Sequence, residues 1–472
     1  MKTIRTSFIA LALLILLGAV NARAEVLTLD DCIDLALQNR ASIIAARGAE
    51  DLAGANRRAA LGAFLPSVDA SYGYSESKSR NVKSETLMPT DAMLYVDTIS
   101  FVDGRTLQPV DWPFVNDSVM TWGIFERDLD DQDRTSKSLS LGAGMSVFNL
   151  PNWFMFAARG AEKTKAHLDV IASEQDLILA VKVSFYAYLA AVENVDVQQE
   201  AVNRSQEQLK LIQSMFDLGS AAKSDVLKQK VQYGNDRLAQ LSAQNAVSTT
   251  RAELAYTVGI DPNRKVEFAT DYTPREFEGS LDEAIEFGMG HHPGLLARQK
   301  TADATRHYLR AAKAAYLPTI GAYANLNYFD GTRGDTVTFN STSRSTTYGF
   351  SISLNIFDGF LRERTVSSAK VSRNNARAQV AETRNFVAKE VNKAYLDIDI
   401  AKEQLNVARE NVEAADEDLK ISQEKYNLGA ATILDLLTAQ ESLKGAQVSH
   451  IRAGFDLNLA VARLERAMGK IL

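Results

Sequence analysis

Phe216-Asp217-Leu218-Gly219, followed at once by a run that includes Asp225-Val226-Leu227, returns 210 residues later as Tyr426-Asn427-Leu428-Gly429 with Asp435-Leu436-Leu437. Outward from this pair the chain keeps repeating itself. Leu29-Asp30-Asp31-Cys32-Ile33-Asp34-Leu35 reappears 252 residues on as Leu281-Asp282-Glu283-Ala284-Ile285-Glu286-Phe287, and Phe64-Leu65-Pro66 as Tyr316-Leu317-Pro318. Each copy closes alike, on Leu254…Val258-Gly259 and Leu464…Met468-Gly469. A period of over 200 residues is too long for a solenoid unit, so it reads as a duplicated supersecondary block packed against its own copy. The first repeat is read over 25–259, an inter-repeat connection over 260–280, and the second repeat over 281–472.

Residues 1–24 read as a signal peptide: Lys2 and Arg5 precede the apolar run Phe8 to Val20, and Ala22-Arg23-Ala24 offers a small-x-small cleavage pattern. Cleavage there would leave 49 basic against 59 acidic residues, a net charge of −10, which disfavours nucleic-acid binding. The single cysteine, Cys32, excludes an internal disulfide framework and aligns with Ala284, as a small core residue would. No later apolar stretch reads as long enough for a transmembrane helix, which leaves a periplasmic, secreted or β-barrel protein.

Four segments alternate with period two: 67–75, 138–147, 319–328 and 347–356. In the first, Val68, Ala70, Tyr72 and Tyr74 share one face while Ser67, Asp69, Ser71, Gly73 and Ser75 share the other. The others follow suit, with Leu139 to Val147, Ile320 to Tyr328 and Tyr348 to Ile356 presenting apolar faces opposite Ser, Gly, Thr and Asn. Each has the length and pattern of a transmembrane strand, although a soluble sheet with one wet face alternates in the same way. Phe148, Trp153 and Phe154 cluster just past one strand end, as membrane-interface aromatics do. Four strands cannot close a barrel and open edges cannot sit in lipid, so several chains must share one barrel. The connection 76–137, acidic and rich in polar residues, reads as a solvated outer loop.

The rest is helix-patterned and poor in proline. Val391, Ile398, Leu405, Val412 and Leu419 are spaced by seven, and so are Ala394, Ala401, Ala408, Ala415 and Ser422. The first copy carries the same seam at Val181, Tyr188, Val195, Val202 and Leu209, with Ser184, Ala191, Gln198, Ser205 and Ile212 on the second line. A heptad with large residues at one core position and small ones at the other predicts a supercoil of closely approaching helices. Asn152 to Leu218 would run about 100 Å as helix, and the shorter segments Cys32 to Phe64 and Ala221 to Val258 about half that each. Each block is then short helix, strand pair, long helix, tight turn near 219 or 429, short helix.

This arrangement resembles the TolC family of outer-membrane efflux proteins. The resemblance rests on Leu27-Thr28-Leu29-Asp30-Asp31…Ala36-Leu37, on Leu65-Pro66 and Leu317-Pro318, on Ile356-Phe357-Asp358-Gly359, and on Leu218-Gly219 and Leu428-Gly429, each followed six residues on by Asp. It implies a mainly α protein with a membrane β-barrel: a homotrimer whose 12-stranded barrel, lying in outer-membrane lipid, continues as a coiled-coil α-helical periplasmic tunnel. It also implies an exit duct for a tripartite efflux system, meeting a periplasmic adaptor protein and an inner-membrane pump. By the same resemblance Asp225, Asp435 and Tyr426 form a periplasmic gate, and Leu218, Gly219, Leu428 and Gly429 are adaptor-contact tips. Two positions depart from the family pattern: Ala431 stands where some members carry a gate Arg, and Thr438 where some carry a second Asp.

Each of these residues also has a purely structural use. Gly219 and Gly429 suit helix C-termini in the left-handed conformation, and Asp225 and Asp435 suit helix starts. His167, His291, His292, His307 and His450 match no metal or catalytic spacing, and His291-His292 before Pro293 reads as a helix end. No catalytic, cofactor or metal set is expected. A type I protein-secretion channel is the alternative duct; a passive porin or a coiled-coil envelope spacer is more distant, because porins have short periplasmic turns and a spacer needs no alternating strands.

Overall fold

The computed structural model describes residues 26–79, 83–91, 120–128, 132–264, 266–270, 277, 279–332 and 343–470. The signal segment lies outside them. In chain order the elements are β1 (Val26–Leu27), α1 (Leu29–Asn39), α2 (Ala41–Gly62), β2 (Ser67–Ser79), β3 (Lys83–Asp91), β4 (Met120–Asp128), β5 (Gln132–Phe148), α3 (Leu150–Asp217), α4 (Lys223–Val258), β6 (Glu267–Phe268), α5 (Leu281–His291), α6 (Pro293–Ala314), β7 (Thr319–Thr332), β8 (Ser343–Ser353), α7 (Leu361–Asn427) and α8 (Ile433–Met468). They fall into two compact units. Ala63–Asn149 and Pro318–Leu354 make the strand unit, and the helices make the other.

Both helical halves start from the same local chemistry. Thr28 Oγ1 accepts from the Asp31 N–H at 3.2 Å while the Asp31 carboxylate accepts from the Thr28 N–H at 3.0 Å. Ser280 and Glu283 repeat this capping box at 3.3 and 3.0 Å, which satisfies donors a helix start otherwise leaves open. The hydrogen bonds from Thr28 and Ser280 hold the Asp31 and Glu283 carboxyls below their ordinary range. The segment expected as one helix from Cys32 to Phe64 is two, because Arg40 is extended (φ −71°, ψ 127°). Its guanidinium donates to the Tyr256 carbonyl at 3.0 Å and lies 4.8 Å from the Tyr256 ring centre, so a tertiary contact sets the break. The matching break in the second half falls at His292–Pro293.

α3 and α7, of 68 and 67 residues, are each about 100 Å long. α3 packs along α4 and α7 along α8, while α6 packs against both α3 and α7. The heptad positions face these partners: Val391, Ala394, Ile398, Ala401 and Ala408 on α7, and Val181, Tyr188, Gln198, Val202, Ser205 and Ile212 on α3, are buried. Contrary to the sequence expectation, α3 does contain an 18-residue window apolar enough, by length and composition alone, to cross a membrane. Val181, Phe185, Tyr188 and Leu189 of α3 are spent instead on a protein core with Cys32, Ile43, Leu254 and Val258. The second half builds an equivalent core from Leu295, Val387, Val391, Ile398, Leu464 and Met468. Between α3 and α8 the ammonium of Lys182 meets Glu465 at 3.1 Å, with side chains only 7% and 11% exposed.

The connection 260–280 holds β6, paired in parallel with β1 through Val26↔Glu267 and Leu27↔Phe268. Phe268 packs edge-on against Tyr188 with ring centres 5.5 Å apart.

In the strand unit the sheet order is β2-β5-β7-β8, all antiparallel. The register joins like faces. Val68, Ala143, Ala324 and Tyr348 form one cross-strand row, and Asp69, Gly142, Asn325 and Thr347 form the next on the opposite face. Val68, Tyr72, Tyr348, Phe350 and Ile352 of the apolar face are exposed, a contiguous greasy surface of the kind that marks an interaction site. On the polar face a Cβ at Gly142 would come within 2.6 Å of Asp69 Oδ2, so a larger residue there would displace that carboxylate. A bulge between Ser146 and Phe148 skips Val147 in the pairing with β7. Ile356 lies beyond the end of β8, whose strand stops at Ser353. The supposed outer loop is partly strand: β2 runs on to Ser79, β5 begins at Gln132, and β3 pairs with β4 from Lys83↔Asp128 to Asp91↔Met120. Charged residues such as Glu76 and Lys78, an ion pair at 2.9 Å, masked the continued alternation.

Two outcomes follow from the packing. Ala408→Leu inserts methylenes where α7 lies close to its neighbour and should cost about 1–3 kcal/mol, read as a lower urea midpoint of the helical signal. Lys182→Met should cost on the order of 3–5 kcal/mol by leaving Glu465 buried and unpaired, whereas Lys182→Met with Glu465→Met should return close to the parent midpoint.

Candidate functional site at the helical tips

The long helices end in the same way. At the first turn the Gly219 N–H donates to the Phe216 carbonyl and the Ser220 N–H to the Met215 carbonyl, both at 2.8 Å. At the second the Gly429 N–H donates to Tyr426 at 3.0 Å and the Ala430 N–H to Lys425 at 2.8 Å. These paired bonds are a Schellman closure, which requires the glycine to be left-handed: φ is +79° at Gly219 and +73° at Gly429. A Cβ at either glycine would meet nothing within 4 Å, so the demand for glycine is conformational and the space beside it is open. Leu218 and Leu428, each 84% exposed, project from the two turns. Paired exposed leucines beside open backbone suit contact with another protein.

The helices that return from the tips differ where they begin. Thr432 caps α8, its hydroxyl accepting from the Asp435 N–H at 3.3 Å, while the Asp435 carboxylate accepts from the Thr432 N–H and hydroxyl, both at 2.8 Å. Those bonds hold the Asp435 carboxyl below its ordinary range. At the corresponding start of α4 stands Ala222, which has no capping side chain. Asp225 is left with a bond from the Ser224 hydroxyl at 3.2 Å and the Lys228 ammonium at 3.9 Å. One of the two tip carboxylates thus closes a capping box, and the other is held by its helix neighbours Ser224 and Lys228 alone.

Tyr426, only 6% exposed, sits in a small core with Ile212, Ile433 and Leu436, backed by Met215, Val226 and Leu419. This cluster brings the two tip hairpins together. Burial, and then the charge of Asp225, push the Tyr426 phenol above its ordinary value. Among the described residues no hydrogen bond joins Tyr426 to Asp225 or Asp435. The structure therefore brings Tyr426 and Asp225 into each other's field and leaves Asp435 engaged in its cap. Ile433 and Leu436 were absent from the sequence-derived site; their signal was the apolar spacing directly after the Gly429 turn.

Of the interface aromatics, Phe148 closes β5 and Trp153 is exposed near the start of α3, followed by Phe154. His292 caps α6, its Nδ1 accepting from the Leu295 N–H at 3.3 Å, and burial lowers its pKa. His291 Nδ1 lies 3.0 Å from the Phe287 carbonyl at the end of α5. Both histidines have local structural work. Among the described residues no three His, Cys, Asp or Glu side chains are grouped to hold a metal.

A sequence model of the outer membrane efflux protein family matches residues 32–259 and 289–470. The outer membrane efflux protein BepC of Brucella suis is 24% identical over 313 residues, covering 65% of this chain and 67% of that protein. Outer membrane protein TolC of Escherichia coli is 23% identical over 360 residues, covering 73% and 72%. In fold, the outer membrane protein VceC of Vibrio cholerae superposes with a TM-score of 0.72 at 19% identity, covering 93% of this chain and 96% of that one.

The cap at Asp435 sets a pH dependence. A carboxyl whose pKa is lowered on folding contributes its full stabilisation above its unfolded value, and loses it as pH falls through the folded value. Thr432→Ala removes the cause. The melting temperature of this variant should lie below that of the parent at pH 7, and the gap should narrow as the pH is taken below about 4, where the unfolded carboxyl protonates.

Proposed function

The chain belongs to the outer membrane efflux protein family, and on that premise we propose that three copies form the outer-membrane exit duct of a tripartite export system. It is an outer-membrane channel protein, and the finer assignments concern its assembly and its gate. The observation that carries the proposal is the four-stranded sheet, with its apolar face exposed and its edge strands β2 and β8 unpaired among the described residues. Lipid offers no partner to edge N–H and C=O groups, so the sheet is completed by further copies, and three would give twelve strands. In this reading residues 1–24 are the export signal, and 25–259 and 281–472 are the two halves of a duplicated block.

Cargo reaches such a duct already selected, from an inner-membrane pump by way of a periplasmic adaptor. Small-molecule efflux is the first reading; a type I protein-secretion channel would use the same parts. The adaptor contact is assigned to the turns at Leu218-Gly219 and Leu428-Gly429, whose open backbone and exposed leucines support it. The gate is assigned to Asp225, Asp435 and Tyr426. Three-fold repetition would gather their carboxylates at the constriction, where like charges raise one another's pKa and attract cations.

Planar-bilayer recording tests this directly. Asp225→Ala combined with Asp435→Ala should abolish cation preference and block by multivalent cations, and Tyr426→Phe should raise resting conductance. Full selectivity and block in the double variant would move the constriction away from the tips.

A further inference from the structure

Charge is spread unevenly along the helices. The 16 residues of α2, α3, α6 and α7 that adjoin the strands, 47–62, 150–165, 299–314 and 361–376, hold 14 Lys and Arg against five Asp and Glu, whereas the whole chain holds 52 against 59. Sixteen helical residues span about 24 Å, so the cations are concentrated at the helix ends through which the chain enters and leaves the sheet. Part of the excess is neutralised along each helix, where Arg159–Glu162, Lys165–Asp169, Arg306–Asp303 and Arg362–Asp358 are ion pairs at 2.7, 2.5, 2.8 and 3.0 Å.

The groove between α2 and α3 is different. It encloses about 390 Å³, and Arg57, Arg58 and Lys163 line it together with Leu61 and Phe156. Among the described residues no ion pair engages any of these three cations. The carboxylates of the groove, Glu50 and Asp51, stand about two helical turns further from the sheet end, and Glu50 is taken by His167 at 3.1 Å. The Arg57 guanidinium lies 5.4 Å from the centre of the Phe156 ring, a stacking that leaves its N–H edge free. A Cβ at Gly54 would meet only Lys163 Cε at 3.9 Å, and one at Gly160 only Arg57 Nε at 3.9 Å. Glycine is unfavourable inside a helix, and neither position is crowded by the facing backbone; the effect of both is to leave room beside two of the cations.

We propose that this groove binds an anionic phospholipid of the periplasmic leaflet, its phosphate held by Arg57, Arg58 and Lys163 and the start of its acyl chains laid along Leu61 and Phe156. The lining follows the order of such a molecule. Its apolar side chains stand at the end next to the strands, and its cations follow about one turn further along α2. Guanidinium and ammonium groups bind phosphate oxygens through charge-assisted hydrogen bonds, Arg in a two-point geometry. A free phosphate would satisfy the cations and leave the apolar end of the groove without a partner. The proposal rests on the outer-membrane placement of the chain and not on the reading of the tips as a gate.

Native mass spectrometry of the assembled protein in detergent, offered equimolar phosphatidylglycerol and phosphatidylcholine, reads the binding directly. Wild type should retain phosphatidylglycerol several-fold over phosphatidylcholine, and Arg57→Gln with Arg58→Gln and Lys163→Gln should abolish the preference. Removing the same charge elsewhere, by Lys393→Gln with Lys402→Gln and Arg409→Gln on α7, should leave it at the wild-type level. Gly54→Leu, which keeps every cation and fills the groove, should also lower retention of phosphatidylglycerol. Inorganic phosphate at the concentration of the lipid should displace little of it. Wild type without a preference, or a groove triple variant that keeps it, overturns the proposal, and inorganic phosphate that competes as well as the lipid replaces the lipid site by a free-anion site. Should the groove triple variant fail to assemble, Gly54→Leu decides: retention equal to wild type overturns the proposal. None of these outcomes bears on the duct reading, which wild-type protein without any conductance in planar bilayers would overturn by itself.

Discussion

The constraint on which the rest depends is that every backbone polar group of the strand unit must find a partner where water cannot serve. Among the described residues this is met along β5 and β7, each flanked by strands on both sides, and left open along the outer edges of β2 and β8. The register does a second task at the same time, since a slip of one residue would turn Val68, Ala143, Ala324 and Tyr348 to the polar face and Asp69 and Asn325 to the apolar one. On the reading proposed above, further copies supply the hydrogen bonds that remain.

The helical unit solves a different problem, that of holding helices of about 100 Å side by side without a broad globular core. Its answer is a narrow seam of alternating large and small side chains, closed by separate cores where the chain folds back. Buried polar side chains interrupt the apolar packing, and two of the contacts they make are ion pairs. Lys182–Glu465 and Lys444–Asp236 are buried with their partners, which fixes how one hairpin lies against the other more than it adds stability.

Much of this was legible in the sequence because the signals are periodic and occur twice. Period two at 67–75 and 319–328 located strands, period seven located the seam, and Leu218-Gly219 with Leu428-Gly429 located the turns. What escaped was set by contacts distant in sequence. Arg40 breaks a helix by reaching Tyr256, a position with no proline to announce it, whereas Pro293 announces its counterpart. The pairing of β1 with β6 spans about 240 residues and only two positions in each strand, too short to show a period. The stretches inside 76–137 that form strands include charged residues in their sequence, so a reading tuned to apolar alternation passes over them. At the tips the residue types were legible, while the engagement of Asp435 by Thr432 was visible only once both atoms had places.

That engagement carries a consequence for symmetry. The two halves of the chain present near-identical turns, so an assembly of three copies would show six similar helix starts around its axis. Only half of those starts would be closed by a side-chain cap, because Thr432 binds Asp435 while Ala222 offers Asp225 no such hold. The turns would repeat six times and the capping box three. A partner that reads the turns would find six alike places to sit, and one that reads an uncapped helix start would find three.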